Sequence, residues 1–238
     1  MLAAVPLAPL ERLARLVPNA AQWVEAMRST RLRSRPMSHP DPGGPADLTP
    51  IQVGEIWTNP VTGERATLLE RPWENTDGRV AAELTALVGA RLVGEHRHPG
   101  IRERFTVLEG ELTVKRDGKT SVLREGETAS IEPDVWHDWW NGSDRDARVR
   151  VEVTPGERFA LAIETLFGLA RLGHTNEKGM PNPLQLALFA AEFSDTIVFR
   201  KPPQIVQRAV FGALAPIARR RGYRPTYPQI SRVTLAPR

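Results

Sequence analysis

Three of the chain's five histidines, His96, His98 and His137, fall in a region patterned as short strands, with Glu103 among them; His39 and His174 lie outside it. His96 and His98 are two apart, so on extended backbone both imidazoles point to one face. Glu103 has the wrong parity for a single straight strand, but Pro99-Gly100 intervenes, and a turn there lets the next segment aim the carboxylate at the same space. His137 comes from a later strand and closes the site from the other side. Imidazole nitrogens with one carboxylate suit Fe(II), Mn(II), Ni(II), Cu(II) or Zn(II). Four protein ligands on an ion that prefers six leave two positions for water, dioxygen or substrate, and those positions would make the site catalytic. The plainer alternatives are core or surface histidines without metal, and a Glu103 solvated between Arg102 and Arg104.

The spacing resembles the cupin superfamily, in particular its small single-domain, cupin-2-like barrels, here with a C-terminal helical extension. The first cupin motif runs Gly, five residues, H-x-H, three or four residues, Glu, six residues, Gly. This chain has His96-Arg97-His98, Glu103 and Gly110 at that spacing, with Ala90 at the leading position and Gly89 beside it. In the second motif Gly126, His137 and Asn141 stand in place, while Glu132 and Asp134 occupy the Pro and Gly positions. Asp tolerates left-handed backbone better than most residues, which keeps a turn at Asp134 open. The resemblance implies a mainly β jelly-roll (double-stranded β-helix) barrel, a homodimer, and one divalent transition metal in the barrel mouth, held by His96, His98, Glu103 and His137. Relatives by motif include dioxygenases, decarboxylases, sugar isomerases and epimerases, polyketide cyclases, and non-catalytic binding or storage proteins. The fold therefore does not select a reaction.

The elements that must position these residues read as strands over 52–58, 65–70, 80–88, 105–108, 111–116, 120–124, 128–132, 137–140 and 148–154, the pattern of a sandwich or barrel. Asp117-Gly118 and Asn141-Gly142 are both two-residue hairpin signals. Trp139 shares parity with His137, and Phe105 and Val107 with Glu103, which makes these three the pocket candidates. Gly110, Gly126 and Asn141 read as turn formers. Trp136 and Trp140 should point the other way. Arg148, Arg150 and Glu152 alternate with valines, as a solvated outer face or as an inward anion site. After Pro155 the period becomes helical: 157–172, apolar nearly all round, then 183–193 and 203–221, with a kink at Pro216. The organisation is an N-terminal helical, basic segment and Pro/Gly linker (1–49), a barrel (50–155), a helical extension (156–222) and an extended basic tail (223–238). Within the first segment 7–32 reads as a helix, and Met37 is an alternative start.

Composition narrows the function classes. The chain has 238 residues, of which 41 % are hydrophobic and 25 % charged, and no cysteine, which excludes disulfides, thiolate metal sites and a cysteine nucleophile. A net charge of +4 hides segregation: residues 1–36 balance to +4, 37–199 to −9, and 200–238 to +9 with no acid. No run is long and apolar enough to span a bilayer and no secretory signal is read, so a cytoplasmic location is expected. No recognition motif accompanies the basic residues, so nucleic acid is not expected as a partner. The leading expectation is a metal-dependent enzyme of dioxygenase, isomerase or lyase type acting on a small organic molecule. The rival is a binding module whose helical tail docks a partner or, through the apolar 157–172 helix and basic end, a membrane surface. His174, near a helix end, reads as a surface residue.

Overall fold

Alternation along the strands sets the architecture. Strand β5 (Arg102–Glu109) buries Glu103, Phe105 and Val107 and turns Arg102, Arg104 and Glu109 outward. Strand β6 (Glu111–Arg116) buries Leu112 and Val114, and β10 (Ala147–Thr154) buries Ala147, Val149 and Val153. Period-2 burial of this kind requires a second apolar layer facing each sheet. The computed structural model, which describes residues 51–91, 94–228 and 230, supplies it with two antiparallel sheets. One orders β1 (Ile56–Thr58), β2 (Arg65–Glu70), β3 (Val80–Ala86), β10, β5 and β8 (Thr128–Ile131). The other orders β11 (Val198–Phe199), β4 (His96–Arg97), β9 (His137–Trp140), β6 and β7 (Lys119–Arg124). The inner faces share one core that includes Leu68, Leu84, Phe105, Leu112, Trp139 and Val149. The jelly-roll reading holds. The 7–32 helix, the Pro/Gly linker, His39 and the last residues of the basic tail lie outside the described residues.

Turn chemistry explains most of the connections. Asp117 and Gly118, at φ 47° and 79°, close the β6–β7 hairpin beside the Arg116–Lys119 pair. Gly110, at φ 79°, carries the chain from one sheet to the other, and a Cβ there would meet the Asp146 carbonyl oxygen at 2.9 Å. Gly126 also has positive φ. Asn141-Gly142 is a correction. Neither residue has positive φ, because β9 and β10 belong to different sheets and a two-residue hairpin cannot join them. Instead, Asn141 Nδ2 donates to the Ala86 and Arg145 carbonyls, both at 2.8 Å, and its Oδ1 accepts from Ser143 N and Oγ.

The charged set on β10 faces outward. Arg148 pairs with Glu83 and Glu109, and Arg150 with Glu70 and Glu152. The alternative of an inward anion site on that strand is thereby removed.

The helices pack onto the barrel rather than standing apart. Helix α1 (Glu157–Arg171) buries Leu161, Phe167 and Leu169 along with Ala160 and Ala170, so most of the apolar surface that suggested membrane contact packs within the chain, while Leu172 at its end stays exposed. A Cβ on Gly156, just before it, would lie 2.5 Å from the Val80 backbone nitrogen, so α1 starts against β3 at a distance only glycine allows. In α2 (Pro183–Glu192), Asn182 caps the amides of Leu184 and Gln185. Helix α3 (Gln204–Arg220) continues through Pro216 and packs Ala215 and Ala218 against Leu188. Beyond it, Tyr227 is buried and its hydroxyl donates to Gln185 Oε1 at 2.7 Å. The sequence pattern did not indicate β11. Among the described residues, no helix is long and apolar enough to cross a membrane.

Candidate metal centre

Each sheet contributes to one buried cluster. His96 opens β4 and pairs in register with His137, the first residue of β9. His98 follows β4 directly and, two residues on, faces the same way as His96. Pro99 and Gly100 then turn the chain into β5, where Glu103 reaches in from the opposite sheet. All four residues are at most 4 % exposed. Ring centroids are 4.3 Å apart for His96–His137, 5.1 Å for His96–His98 and 5.2 Å for His98–His137. One ligand atom from each of the four residues lies within 4.8 Å of all the others.

The outer nitrogens fix which atoms face inward. Nδ1 of His96 donates to the Gly94 carbonyl at 2.8 Å, Nδ1 of His137 to Val135 at 2.9 Å, and Nδ1 of His98 to Thr196 at 2.6 Å. A carbonyl can only accept, so each neutral ring carries its proton on Nδ1 and presents a bare Nε2 lone pair to the centre. Glu103 Oε2 lies 3.0 Å from Nε2 of His137 and 3.7 Å from Nε2 of His98. Yet His98 Nε2, His137 Nε2 and Glu103 Oε2 have no hydrogen-bond partner among the described residues, because these facing atoms are all acceptors. Buried acceptors left unpaired are costly, and a shared cation satisfies them together. The two carboxylate–imidazole separations fit, since atoms bound at about 2.1 Å to one ion lie no more than about 4.2 Å apart.

The electrostatics favour neutral His96 and His98 rings beside an ionised Glu103. Burial, helped by the neighbouring His137 and His98, pushes His96 down to about 3. Burial also lowers His98, against the pull of Glu103. For Glu103 burial acts upward, but His137 and the other imidazoles outweigh it and hold the carboxyl below its usual range. For His137 burial acts downward and Glu103 more than offsets it, so this ring is the one raised. A proton between His137 and Glu103 is thus the natural competitor of a cation.

The cupin-domain family model matches residues 83–154, which carry all four of these residues. This part of the barrel is thus a cupin domain. A curated relative, polyketide synthase CurC of Streptomyces cyaneus, is 30 % identical over 108 residues, 45 % of this chain and 56 % of that protein. The chain thus spans little more than half the length of that relative. Among solved structures, KdgF from a Halomonas species matches with a TM-score of 0.38 at 18 % identity, over 44 % of this chain and 90 % of that one. An RmlC-like cupin from Shewanella frigidimarina matches with a TM-score of 0.37 at 22 % identity, over 43 % and 84 %.

The other candidate residues take varied places in the cupin barrel. Phe105, Val107 and Trp139 are buried in the core, with the Phe105 and Trp139 rings 6.4 Å apart. Trp136 points away from the cluster, with the guanidinium groups of Arg97 and Arg200 each 5.3 Å from its ring. It lines an open cleft of about 460 Å³ together with Glu95, Lys115, Asp117, Arg200 and Lys201. Trp140 lies under the Arg91 guanidinium. His174 is half-buried and outside the cluster. Asp134, at the motif's Gly position, adopts φ 65°. Sequence reasoning missed the three carbonyls that hold the imidazoles, and Phe159, whose ring meets His98 edge-on at 5.8 Å. No residue type signals a backbone acceptor, so none of the carbonyls could be read in advance.

Proposed function

We propose that this chain is a metal-dependent enzyme acting on a small, oxygen-bearing organic molecule, with His96, His98, Glu103 and His137 holding one divalent Fe, Mn, Ni, Cu or Zn ion. The observation that carries the reading is the set of inward-facing acceptors, buried and without a donor among the described residues, whose outer nitrogens are already committed to carbonyls. When bound, such an ion supplies Lewis acidity toward a carbonyl, carboxylate or hydroxyl oxygen. The chain's own part is to hold three neutral imidazoles in one tautomer, to keep Glu103 ionised among them, and to exclude bulk water from the cluster. An ion held by these four residues would leave room in its coordination sphere for a ligand with paired oxygens, such as a 1,3-dicarbonyl compound. The name of the Streptomyces cyaneus relative, a polyketide synthase, is in keeping with that class. The reaction is of dioxygenase, isomerase or lyase type.

The test is elemental analysis of full-length protein purified without added metal, beside His96→Ala. About one equivalent of transition metal, lost in the variant, supports the site; metal content unchanged by the substitution refutes it.

A second reading, a binding module without turnover, is favoured by one observation: Thr196 and Phe159 cover His98 from the helical side. Incubation of metal-loaded protein with acetylacetone separates the two: catalytic consumption supports the enzyme, whereas a changed Co(II) spectrum with no consumption marks binding without turnover.

A further inference from the structure

His98 differs from the other two imidazoles in where its support comes from. His96 and His137 are each held by the carbonyl two residues earlier, while the acceptor for His98 lies 98 residues away, on Thr196. That carbonyl belongs to a tight turn after α2. The amides of Thr196 and Ile197 both donate to the Phe193 carbonyl at 2.9 Å, and Phe193 is fully buried. Arg158, in the first turn of α1, clamps the turn from outside. Its Nε lies 3.0 Å from Asp195 Oδ2, its Nη2 donates to the Glu192 carbonyl at 2.6 Å, and its guanidinium sits 5.4 Å over the Phe193 ring. Asp195 Oδ1 in turn accepts from Thr196 Oγ1 at 3.0 Å. Downstream, Val198 and Phe199 pair with Arg97 and His96, and the Arg200 amide donates to the Glu95 carbonyl at 2.9 Å. The segment from Phe193 to Arg200 is therefore tied both to the helices and to the strand that bears His96.

We infer that the Phe193–Arg200 segment is a built part of the metal centre, with Arg158 and Asp195 as positioning residues that set the Thr196 carbonyl and, through it, the orientation of His98. The inference rests on the metal-site reading above. Without the clamp the turn loses its fixed direction, His98 can rotate or change tautomer, and one of four ligands is no longer preorganised. Partners that orient a ligating histidine typically account for about 10–100-fold in metal affinity. The hydrogen bonds and ion pairs of Arg158 and Asp195 go to the turn and not to the four cluster residues, so their effect on metal passes through Thr196, or through Phe159 beside Arg158, and the His98 Nδ1–H signal reports the Thr196 route.

The experiment uses full-length wild type, H96A, R158A, D195A, the milder D195N, and R158K. Co(II) affinity is measured by chelator competition, the Co(II) visible spectrum is recorded, and imidazole N–H signals are followed by NMR in metal-free, ¹⁵N-histidine protein. The expected result is Co(II) binding by wild type that H96A abolishes, roughly 10–100-fold weaker binding with an altered spectrum in R158A and D195A, and substantial recovery in R158K. In metal-free wild type, His98 Nδ1–H should exchange slowly, and that protection should fall in R158A and D195N while the His96 and His137 signals persist. Binding in wild type with R158A, D195A and D195N all within twofold of it, and the same spectrum, would overturn the inference. If wild type binds no Co(II) in an H96A-sensitive way, the metal reading fails instead. The imidazole signals then decide the clamp alone: unchanged His98 protection in every variant rejects it.

Discussion

The barrel and the C-terminal segment support the same cluster by different means. On the barrel side, His96 and His137 face each other across a strand pair, and each donates Nδ1–H to a carbonyl two residues before it. Their support arrives with the local backbone. On the helical side, His98 depends on Thr196, Phe159 and the Arg158 clamp, all brought in by packing of residues far along the chain. The difference teaches that a ligand motif can be complete in spacing and still borrow one third of its imidazole support from an appended segment.

The largest expected effect treats the two sides alike. His137→Ala and His98→Ala should each weaken metal binding at least about a thousandfold, about 4 kcal/mol, by chelator competition; a His98→Ala protein with wild-type affinity would show that the helical side carries no ligand. Gly156→Ala separates the sides. Its Cβ would sit 2.5 Å from Val80 N, forcing back the start of α1 and with it Arg158 and Phe159. Urea unfolding should show a loss of about 2–3 kcal/mol, and metal affinity should fall further than stability-matched barrel variants predict.

Asn141→Ala is such a barrel variant. It removes donors from the buried Ala86 and Arg145 carbonyls at the β9–β10 crossing. A loss of about 1–3 kcal/mol is expected, with His98 Nδ1–H protection in the NMR experiment left as in wild type. Acid titration isolates His96. Its folded-state value near 3 lies below the usual 6.5, so the unfolded chain binds the extra proton. The contribution is complete above about pH 6.5 and is lost as pH falls toward 3, with a slope of up to about 1.4 kcal/mol per pH unit. His137, raised by Glu103, contributes in the opposite sense: its part is present below about pH 6.5 and is lost as pH rises through its folded value. Metal-free His96→Gln should therefore show a flatter acid limb than wild type in urea titrations at pH 4–7; identical limbs would place the proton elsewhere. Arg148→Ala, on the exposed outer face, should leave the urea midpoint nearly unchanged, because a solvated ion pair contributes little, and leave metal binding untouched on both sides.

Much of the barrel side was readable before any coordinates. A period of two sends His96 and His98 to one face, and Pro99-Gly100 supplies the turn that corrects the parity of Glu103. Asp134 could stand at a glycine position because it tolerates left-handed backbone, and it takes φ 65°. Asn141-Gly142 misled because a dipeptide signal carries no information on whether the flanking strands share a sheet. Strand β11 went unread because two residues, Val198 and Phe199, are too few to show a period.

The amino-acid sequence by itself determined the chemistry available: three imidazoles and a carboxylate at spacings that extended backbone converts into a shared face, with no thiol to compete. Only the tertiary structure decided the tautomers, the burial and the support of His98. Those depend on backbone carbonyls, which every residue carries alike, and on the docking of α1 and α2, which sets distances between residues almost a hundred positions apart. Spacing along a strand is a local property of the chain, whereas the direction of a distant carbonyl is a property of the packed whole.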